Sequence, residues 1–258
     1  MAIDKAVDSG ALDSGLTSIA NAIRTKGGTS ASLTFPQGFV DAIGEISGGG
    51  GDNLPTVISG GTLGDYVDNT STTLRQWAFY YYAGITSFSS NSVEHVTGAC
   101  FRYCSNLESI NLPNLTNANV GGDNFANCSK LRGIVLPKIS TFSTNGGDFN
   151  SNADFVYADF GGVVNIIPRN TFINSSKFGL FVLRSQTLIP LANINAFSGT
   201  LFASGKSGGT LYVPNSLISA YQSETNWGTI LGYATNSIQA IEGSQYETHY
   251  ADGTVIPT

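Results

Sequence analysis

Hydrophobic residues recur at a nearly constant interval along most of this chain. Phenylalanine anchors mark the interval, and successive anchors are separated by 22, 24, 24, 23 and 25 residues. The six anchors are Phe79, Phe101, Phe125, Phe149, Phe172 and Phe197. A unit of this length cannot close its own core, so it must stack on copies of itself. The interval therefore predicts a repeat solenoid.

Further columns align inside each unit. Three positions after the first five anchors stand Tyr82, Cys104, Cys128, Asn152 and Ser175. Hydrophobic columns stand six, nine and eleven positions after the anchors, and the column at position nine contains Phe88, Ile110, Ile134, Ala158 and Phe181. The alternation at positions nine and eleven predicts one strand in each unit, and stacked units place these strands in a parallel sheet.

The first 46 residues show a helical pattern instead. Leu16, Ile19 and Ile23 share one face, and Phe39 and Ile43 share the face of a second short run. These spacings predict two short helices. We therefore divide the chain into a helical module (1–46), a glycine-rich linker (47–54), a solenoid (55–213) and a C-terminal cap and tail (214–258).

The cap is predicted from the break in the repeat after residue 213. Asn215 is the expected N-cap of a helix that runs to about Glu224. Hydrophobic residues after it can cover the exposed end of the solenoid core, as a terminal repeat must. These residues are Trp227, Ile230, Ile238 and Ile241.

Two units carry a family resemblance. The segments from Phe101 to Pro113 and from Phe125 to Pro137, and more loosely Leu74 to Phe79, resemble the BspA-type leucine-rich repeats of bacterial surface proteins. The resemblance implies an α/β-type solenoid, a right-handed leucine-rich-repeat coil with a parallel sheet, behind the two-helix module. The units at Phe149 and Phe172 lack the cysteine and the Leu-Pro ending, so their register is less well defined.

The front of the chain has a second resemblance. The segments from Leu16 to Ser30 and from Phe35 to Ile43 are similar to a segment of phage and prophage structural proteins that joins a variable outer domain to the particle. This similarity implies that residues 1–46 bind other virion proteins and that the chain is a homo-oligomer, with a trimer favoured. The residues expected to make the attachment are Leu16, Ile19, Ile23, Phe39 and Ile43.

Composition and charge narrow the function classes. Charged residues make up 12% of the 258 residues and the net charge is -6, so no basic stripe is available for nucleic acid. The start, Met1 to Val7, has no basic segment followed by an apolar core, and we expect no Sec signal peptide. No stretch approaches the ~20 apolar residues of a membrane helix, and we expect no membrane insertion.

Catalytic and cofactor motifs are not recognisable. His95 and His249 lie in no nucleophile or metal motif, so we expect neither an enzyme nor a cofactor. Cys100, Cys104 and Cys128 are odd in number, and we expect all three to be reduced and the last two to stack as small buried residues.

One segment shows partial calcium-loop spacing. It runs from Asp148 to Asp154, but its sixth residue is Ala153 instead of glycine and its twelfth is Asp159 instead of glutamate. Asparagine turns explain the spacing more simply, and a weak calcium site stays an open alternative.

Two groups of residues are candidates for binding. Tyr80 and Tyr81 are free to contact a ligand if Tyr82 occupies the core column, although they could instead only cover the core. The second group is an outward column ten positions after each anchor, flanked by Glu108 and Tyr157. The column contains Ser89, Asn111, Val135, Asp159 and Val182. A merely solvated sheet face is the alternative.

The leading hypothesis is a non-enzymatic virion surface protein, fibre-like or spike-like, that binds a bacterial surface glycan or protein through many copies. A structural capsid or tail decoration protein without a specific ligand is the second hypothesis. A bacterial cell-surface or secreted adhesin is the third.

Overall fold

A computed structural model of the chain describes residues 64–144 and 146–241, together with Thr17, Ala20 and Asn21. The chain divides into two units, residues 1–59 and 60–258. In the first unit the three described residues are helical and Ala20 is buried, and the two predicted helices stay a prediction. The five predicted attachment residues, the linker, His249 and the tail after Ile241 lie outside the described residues.

The strands of the second unit form three parallel sheets. The first contains β1 (Asp65–Val67), β3 (Ser87–Ser89) and β5 (Ser109–Asn111). The second contains β7 (Gly133–Leu136), β9 (Tyr157–Phe160), β10 (Leu180–Leu183), β11 (Thr210–Pro214) and β12 (Ser237–Ile241). On another side of the coils lies a third sheet of β2 (Thr73–Leu74), β4 (His95–Thr97), β6 (Asn117–Val120) and β8 (Thr141–Phe142).

The strand register follows the sequence interval. Ser87 pairs with Ser109, and Gly133 pairs with Tyr157, so each strand lies beside its equivalent in the next unit. We call each such unit a coil. Parallel strands joined through complete coils, with few helices, are the architecture that the repeat pattern predicts. The third sheet was not predicted, since its strands are only two to four residues long.

The anchor phenylalanines stack along the inside of the solenoid. Their ring centroids are 4.9 Å apart between Phe79 and Phe101, and 5.3 to 5.7 Å apart between the later neighbours. All six rings are buried. Each fully buried side chain contributes about 1.5–3 kcal/mol to stability, so this stack is the main hydrophobic element shared by all coils.

A second column explains why cysteine, asparagine and serine are interchangeable three positions after the anchor. Each side chain donates a hydrogen bond to the main-chain oxygen of the anchor in the preceding coil. The four bonds run from Cys104 Sγ to Phe79 O (3.0 Å), Cys128 Sγ to Phe101 O (3.0 Å), Asn152 Nδ2 to Phe125 O (2.9 Å) and Ser175 Oγ to Phe149 O (2.7 Å). The coils that depart from the family pattern therefore keep its hydrogen bond, and their predicted register is confirmed.

The five residues centred on each anchor form a turn, and backbone hydrogen bonds connect these turns from one coil to the next. We call the surface formed by these turns the turn face. The anchor N–H of one coil donates to the next coil, as from Phe79 to Cys100 O at 2.8 Å. Eleven of the twelve residues that lie two before or two after an anchor have φ values between 56° and 88°; the exception is Asn195, which lies in a 3-10 helix. The eleven are Trp77, Tyr81, Ala99, Tyr103, Asp123, Asn127, Gly147, Ser151, Asn170, Asn174 and Gly199.

The C-terminal end is closed by short helices. Two 3-10 helices (Ile194–Phe197 and Asn215–Leu217) precede α1 (Ile218–Ser223) and α2 (Thr225–Leu231). Trp227 is fully buried and its Nε1 donates to Ile189 O at 2.8 Å, which confirms its predicted capping position.

The predicted N-cap at Asn215 is wrong. Asn215 is the first residue of a 3-10 helix and does not cap it. The helix that has a side-chain N-cap is α2, where the Glu224 carboxylate accepts a hydrogen bond from Trp227 N at 2.7 Å. Among the described residues, no helix has the length and apolar character required to cross a membrane.

Candidate functional site

The two predicted tyrosines are exposed on the turn face of the first coil. Tyr80 is 39% exposed and Tyr81 is 62% exposed, and Trp77 in the same turn is 60% exposed. Tyr82 is half-buried instead of fully enclosed in the core column, and its ring and hydroxyl group lie against Gly84. Tyr80 and Tyr81 are therefore accessible to solvent, and their contact with a ligand stays a prediction.

The Tyr80 and Tyr81 rings contact a third ring, that of Tyr103, and sequence reasoning missed both Tyr103 and the neighbouring Trp77. The Tyr81 and Tyr103 rings stack with centroids 4.3 Å apart and an interplanar angle of 14°, and the Tyr80 ring packs edge-on at 4.6 Å from Tyr81. Tyr103 stands two positions after its anchor, as Tyr81 does, and this equivalence was the available signal. We call Trp77, Tyr80, Tyr81 and Tyr103 the aromatic patch.

A charged pair borders the aromatic patch. The Arg102 guanidinium lies over the Tyr103 ring, 5.0 Å from its centroid, and Arg102 Nη1 lies 2.9 Å from Asp123 Oδ2. The other Asp123 oxygen accepts from Asn150 Nδ2 at 3.0 Å. The pair is about one-third exposed and its charges balance, so it offers polar groups at the rim without a net charge.

The backbone beneath the patch is strained. Trp77, Tyr81 and Tyr103 have φ values of 61°, 60° and 65°, a region that costs an L-residue about 1–2 kcal/mol. Later coils hold asparagine, serine or glycine two positions after the anchor, and asparagine and glycine adopt this region more readily. Strain held by bulky aromatic residues is the kind of outlier that points to a function.

The second predicted group lies on a different side of the coils. Glu108 and Asn111 are exposed beside or within β5, and Asn111 Nδ2 donates to Ser89 Oγ at 3.4 Å. Glu108 also borders an open groove of about 420 Å³. The groove is lined by Glu108, Lys130, Arg132, Asp154, Val156 and Lys177. Because Lys177 is paired with Asp154 at 2.6 Å, part of the positive charge of the groove is neutralised.

The prediction that Asp159 and Val182 face solvent is wrong. Both side chains are fully buried, and Asp159 forms an ion pair with Arg184 in which the closest atoms are 2.8 Å apart. Burial raises the pKa of Asp159, and the hydrogen bonds from Arg184 only partly oppose the rise.

The burial has a physical reason that strand alternation does not reveal. In this half of the molecule the outer side of the sheet carries large side chains, and Tyr157, Leu180, Tyr212 and Ile241 pack around Val182. Tyr157, the remaining candidate, is half-buried because its ring lies over Gly133, where no Cβ obstructs it. Burial raises the pKa of Tyr157 to about 12.

The polar residues of the calcium-like segment, Asp148 to Asp154, contact neighbouring coils of the solenoid. Asp148 is fully buried and its Oδ1 accepts from Asn124 Nδ2 at 2.9 Å, whereas Asp154 is exposed and paired with Lys177. The Asn152 amide is the column donor to Phe125 O. These side chains point to different surroundings, and the described residues contain no group of three or more His, Cys, Asp or Glu arranged to hold a metal ion.

The remaining reactive side chains have structural surroundings. Cys100, Cys104 and Cys128 are buried thiols, which confirms the predicted packing, and burial raises the pKa of Cys128. His95 is half-buried in β4. Among the described residues, the aromatic patch is the largest group of exposed aromatic side chains on one turn face, and we take it as the candidate binding surface.

Comparison with known proteins found one matching family and a similar solved structure. Residues 66–179 match the family described as a BspA type leucine rich repeat region, in 6 copies. A leucine-rich repeat protein of T. pallidum, known from a crystal structure, is 16% identical, and the match covers 67% of this chain and 86% of that protein with a TM-score of 0.44. No curated protein matches the chain. Residues 66–179 are therefore similar to a BspA-type leucine-rich repeat region.

Proposed function

We propose that this chain is a non-enzymatic surface protein of a phage or prophage particle that presents its solenoid outward, like a fibre or spike, to bind a bacterial or environmental surface. The observation that carries the proposal is the aromatic patch. Trp77, Tyr80 and Tyr81 are each at least 39% exposed. Exposed clusters of large aromatic side chains are typical of surfaces that associate with a partner. Tyr81 and Tyr103 stand on strained backbone, and their mutual ring contact offsets only part of that strain.

Attachment to the particle is assigned to residues 1–46. The support is the similarity of Leu16 to Ser30 and Phe35 to Ile43 to phage attachment segments. In this proposal Leu16, Ile19, Ile23, Phe39 and Ile43 bind other virion proteins, and the chain forms a homo-oligomer, a trimer by the same similarity. Many copies on one particle convert weak contacts into avid attachment.

Gold labelling of the chain on native particles, followed by cryo-electron microscopy, tests the location. Label on a tail tip or fibre, with density reaching outward, is the expected result. Labelled particles should also adsorb to bacteria, and an excess of the free full-length chain should compete with them. Label on the capsid without competition would favour the decoration hypothesis instead.

A bacterial cell-surface or secreted adhesin is the second candidate. The match of residues 66–179 to the BspA-type region favours it, because that family is typical of bacterial surfaces. Recovery of the chain in the cell envelope or medium of a bacterium, without any particle, would select this candidate.

A further inference from the structure

We infer that the aromatic patch binds a neutral glycan, by stacking of a pyranose ring on Tyr81 with hydrogen bonds from the neighbouring polar rim. The inference rests on the proposed function, since it names the ligand of the same surface. The patch joins flat aromatic faces to a balanced ion pair, and a sugar ring presents the complementary combination of an apolar C–H face and a rim of hydroxyl groups.

The geometry of the rings suits a flat ligand. Tyr81 and Tyr103 are nearly parallel, with Tyr80 against their edges at 4.6 and 5.9 Å. One face of Tyr81 is used by Tyr103, while 62% of the residue stays exposed. The weakly acidic C–H bonds on one side of a pyranose ring are attracted to the electron-rich face of such a ring.

The ring positions are also fixed before binding. The φ values of Trp77 and Tyr81 place both side chains in one turn whose N–H groups bond to the next coil, at 3.1 Å to Gly98 O and 2.9 Å to Arg102 O. A ligand that stacks on them therefore does not have to order the backbone. Preorganisation of this kind increases affinity by reducing the entropy lost on binding.

The charges favour a neutral ligand. The guanidinium of Arg102 is already bonded to Asp123, and the chain as a whole carries a net charge of -6. Single-stranded nucleic acid also stacks on aromatic residues, but it requires a positively charged groove for its phosphates. A polyanion would gain no free cation from this pair and would be repelled by the net charge.

The small extent of the patch favours a sugar over a protein surface. Its residues belong to two adjacent coils, and parallel strands lie about 4.8 Å apart, so the stack is roughly the length of one or two sugar rings. The next coils carry Asn127 and Ser151 at the equivalent position. A stable protein interface buries about 800 Å² on each partner and would extend well beyond four rings.

The test uses the full-length chain and a panel of neutral oligosaccharides that includes cellohexaose, maltohexaose, mannohexaose and galactan fragments. Binding is followed by tryptophan and tyrosine fluorescence and by isothermal titration. At least one oligosaccharide should bind, and Tyr81→Asn should weaken it tenfold or more. Asparagine already occupies the equivalent position at Asn127 and Asn174, so this variant should keep the fold.

Asn174→Ser is the matched control. It changes an exposed residue at the equivalent turn-face position, away from the patch, and should leave oligosaccharide binding within twofold of the unaltered chain. Circular dichroism of both variants verifies that the coils are intact. Equal binding by Tyr81→Asn, or no binding by any neutral oligosaccharide, would overturn the glycan assignment.

Two further experiments distinguish failure of the glycan assignment from failure of the proposed surface-binding function. Polyglutamate and gelatin serve as polyanion and protein probes, neither of which contains a sugar ring. Retention on either one that depends on Tyr81 would contradict the glycan assignment and keep the patch as a binding surface. With intact bacteria, mild periodate treatment should abolish adsorption and protease treatment should not. The opposite sensitivity would contradict the glycan but keep the surface-binding role.

Discussion

The first two coils and the last three share one backbone but use their surfaces in opposite ways. On the turn face, the coils of Phe79 and Phe101 carry Tyr81 and Tyr103 where later coils carry Ser151, Asn174 and Gly199. On the outer side of the sheet the contrast reverses, because the first strands carry Ser87 and Ser109 whereas the later ones carry tyrosines and a buried ion pair.

This contrast separates what the fold requires from what it tolerates. Every coil needs a buried ring at the anchor, and most carry a donor three positions later. The turn face needs only a residue that tolerates positive φ, and asparagine and glycine satisfy this at low cost. Small residues at this position are explained by the fold alone. Aromatic residues at the same position are not, and they therefore indicate a function.

Removal of an anchor ring should have the largest effect, because the stack is common to both regions. Phe149→Ala should lower the free energy of unfolding by about 3–5 kcal/mol. The Phe149 ring contacts those of Phe125, Phe155 and Phe172 at 5.3 to 5.7 Å, so a cavity would open in the centre of the solenoid. Urea unfolding followed by circular dichroism measures the change, and a loss below 1 kcal/mol would contradict the stack as the main stabilising element.

The two ion pairs should respond differently to the loss of one partner. Asp159→Ala should cost about 3–5 kcal/mol because it leaves the buried Arg184 charge without its carboxylate, which is 0% exposed. Asp123→Ala should cost less than about 1 kcal/mol, since that pair is 30% exposed. The double variant Asp159→Leu/Arg184→Met should recover most of the loss. If the two single variants lowered the free energy of unfolding by the same amount, the two regions would not differ in how their ion pairs contribute to stability.

A buried carboxyl in the central coil should make stability depend on pH. Burial raises the pKa of Asp148 from 3.8 to about 7, so the folded state binds more protons than the unfolded state between these values. Stability should therefore fall as pH rises from about 4 to 7. Asp148→Asn should flatten this dependence and stabilise the protein at pH 8 by about 4 kcal/mol. Thermal unfolding at pH 5 and pH 8 provides the measurement, with Glu108→Gln, a change at an exposed carboxyl, as the control. An unchanged slope in Asp148→Asn would be evidence against a buried neutral carboxyl.

The smallest stability change is expected for exchanges between the two kinds of turn face. Tyr81→Asn relieves strain of about 1–2 kcal/mol but loses a ring contact worth about 0.5–1.5 kcal/mol, so its net effect should lie within about 1 kcal/mol of zero. Asn174→Tyr should destabilise by about 1 kcal/mol because it gains strain without a stacked neighbour. Melting temperatures of both variants test this; strong destabilisation by Tyr81→Asn would make the patch structural.

Much of the interior could be predicted from the sequence because it repeats. The columns at the anchors and at nine positions after them fixed the register even in the coils of Phe149 and Phe172, where Asn152 and Ser175 replace cysteine. Phe181 and Ala158 are fully buried in the strands as the columns predicted. Repetition reveals such positions because each buried side chain meets its own equivalent in the next coil.

The surface could not be predicted in the same way. Strand alternation places Asp159 and Val182 on the outer side of the sheet, but it does not indicate which large side chains cover them there. The partner of Asp159 is Arg184, 25 residues away and in a different column. The stacking of Tyr103 on Tyr81 depends on their positive φ, and tyrosine is not a residue that signals that conformation.

The donor three positions after each anchor also bears on how such a chain can evolve. Cys128 bonds to the coil before it, and the next coil repeats the same bond from Asn152. An in-frame duplication of the 24 residues from Phe125 to Asp148 would therefore carry its own anchor and its own donor. Each added copy would lengthen the solenoid by about 4.8 Å without requiring a new interface between coils. Recombination between repeats can thus adjust the distance between the aromatic patch and the C-terminal cap in single-coil steps, while both ends keep their sequence.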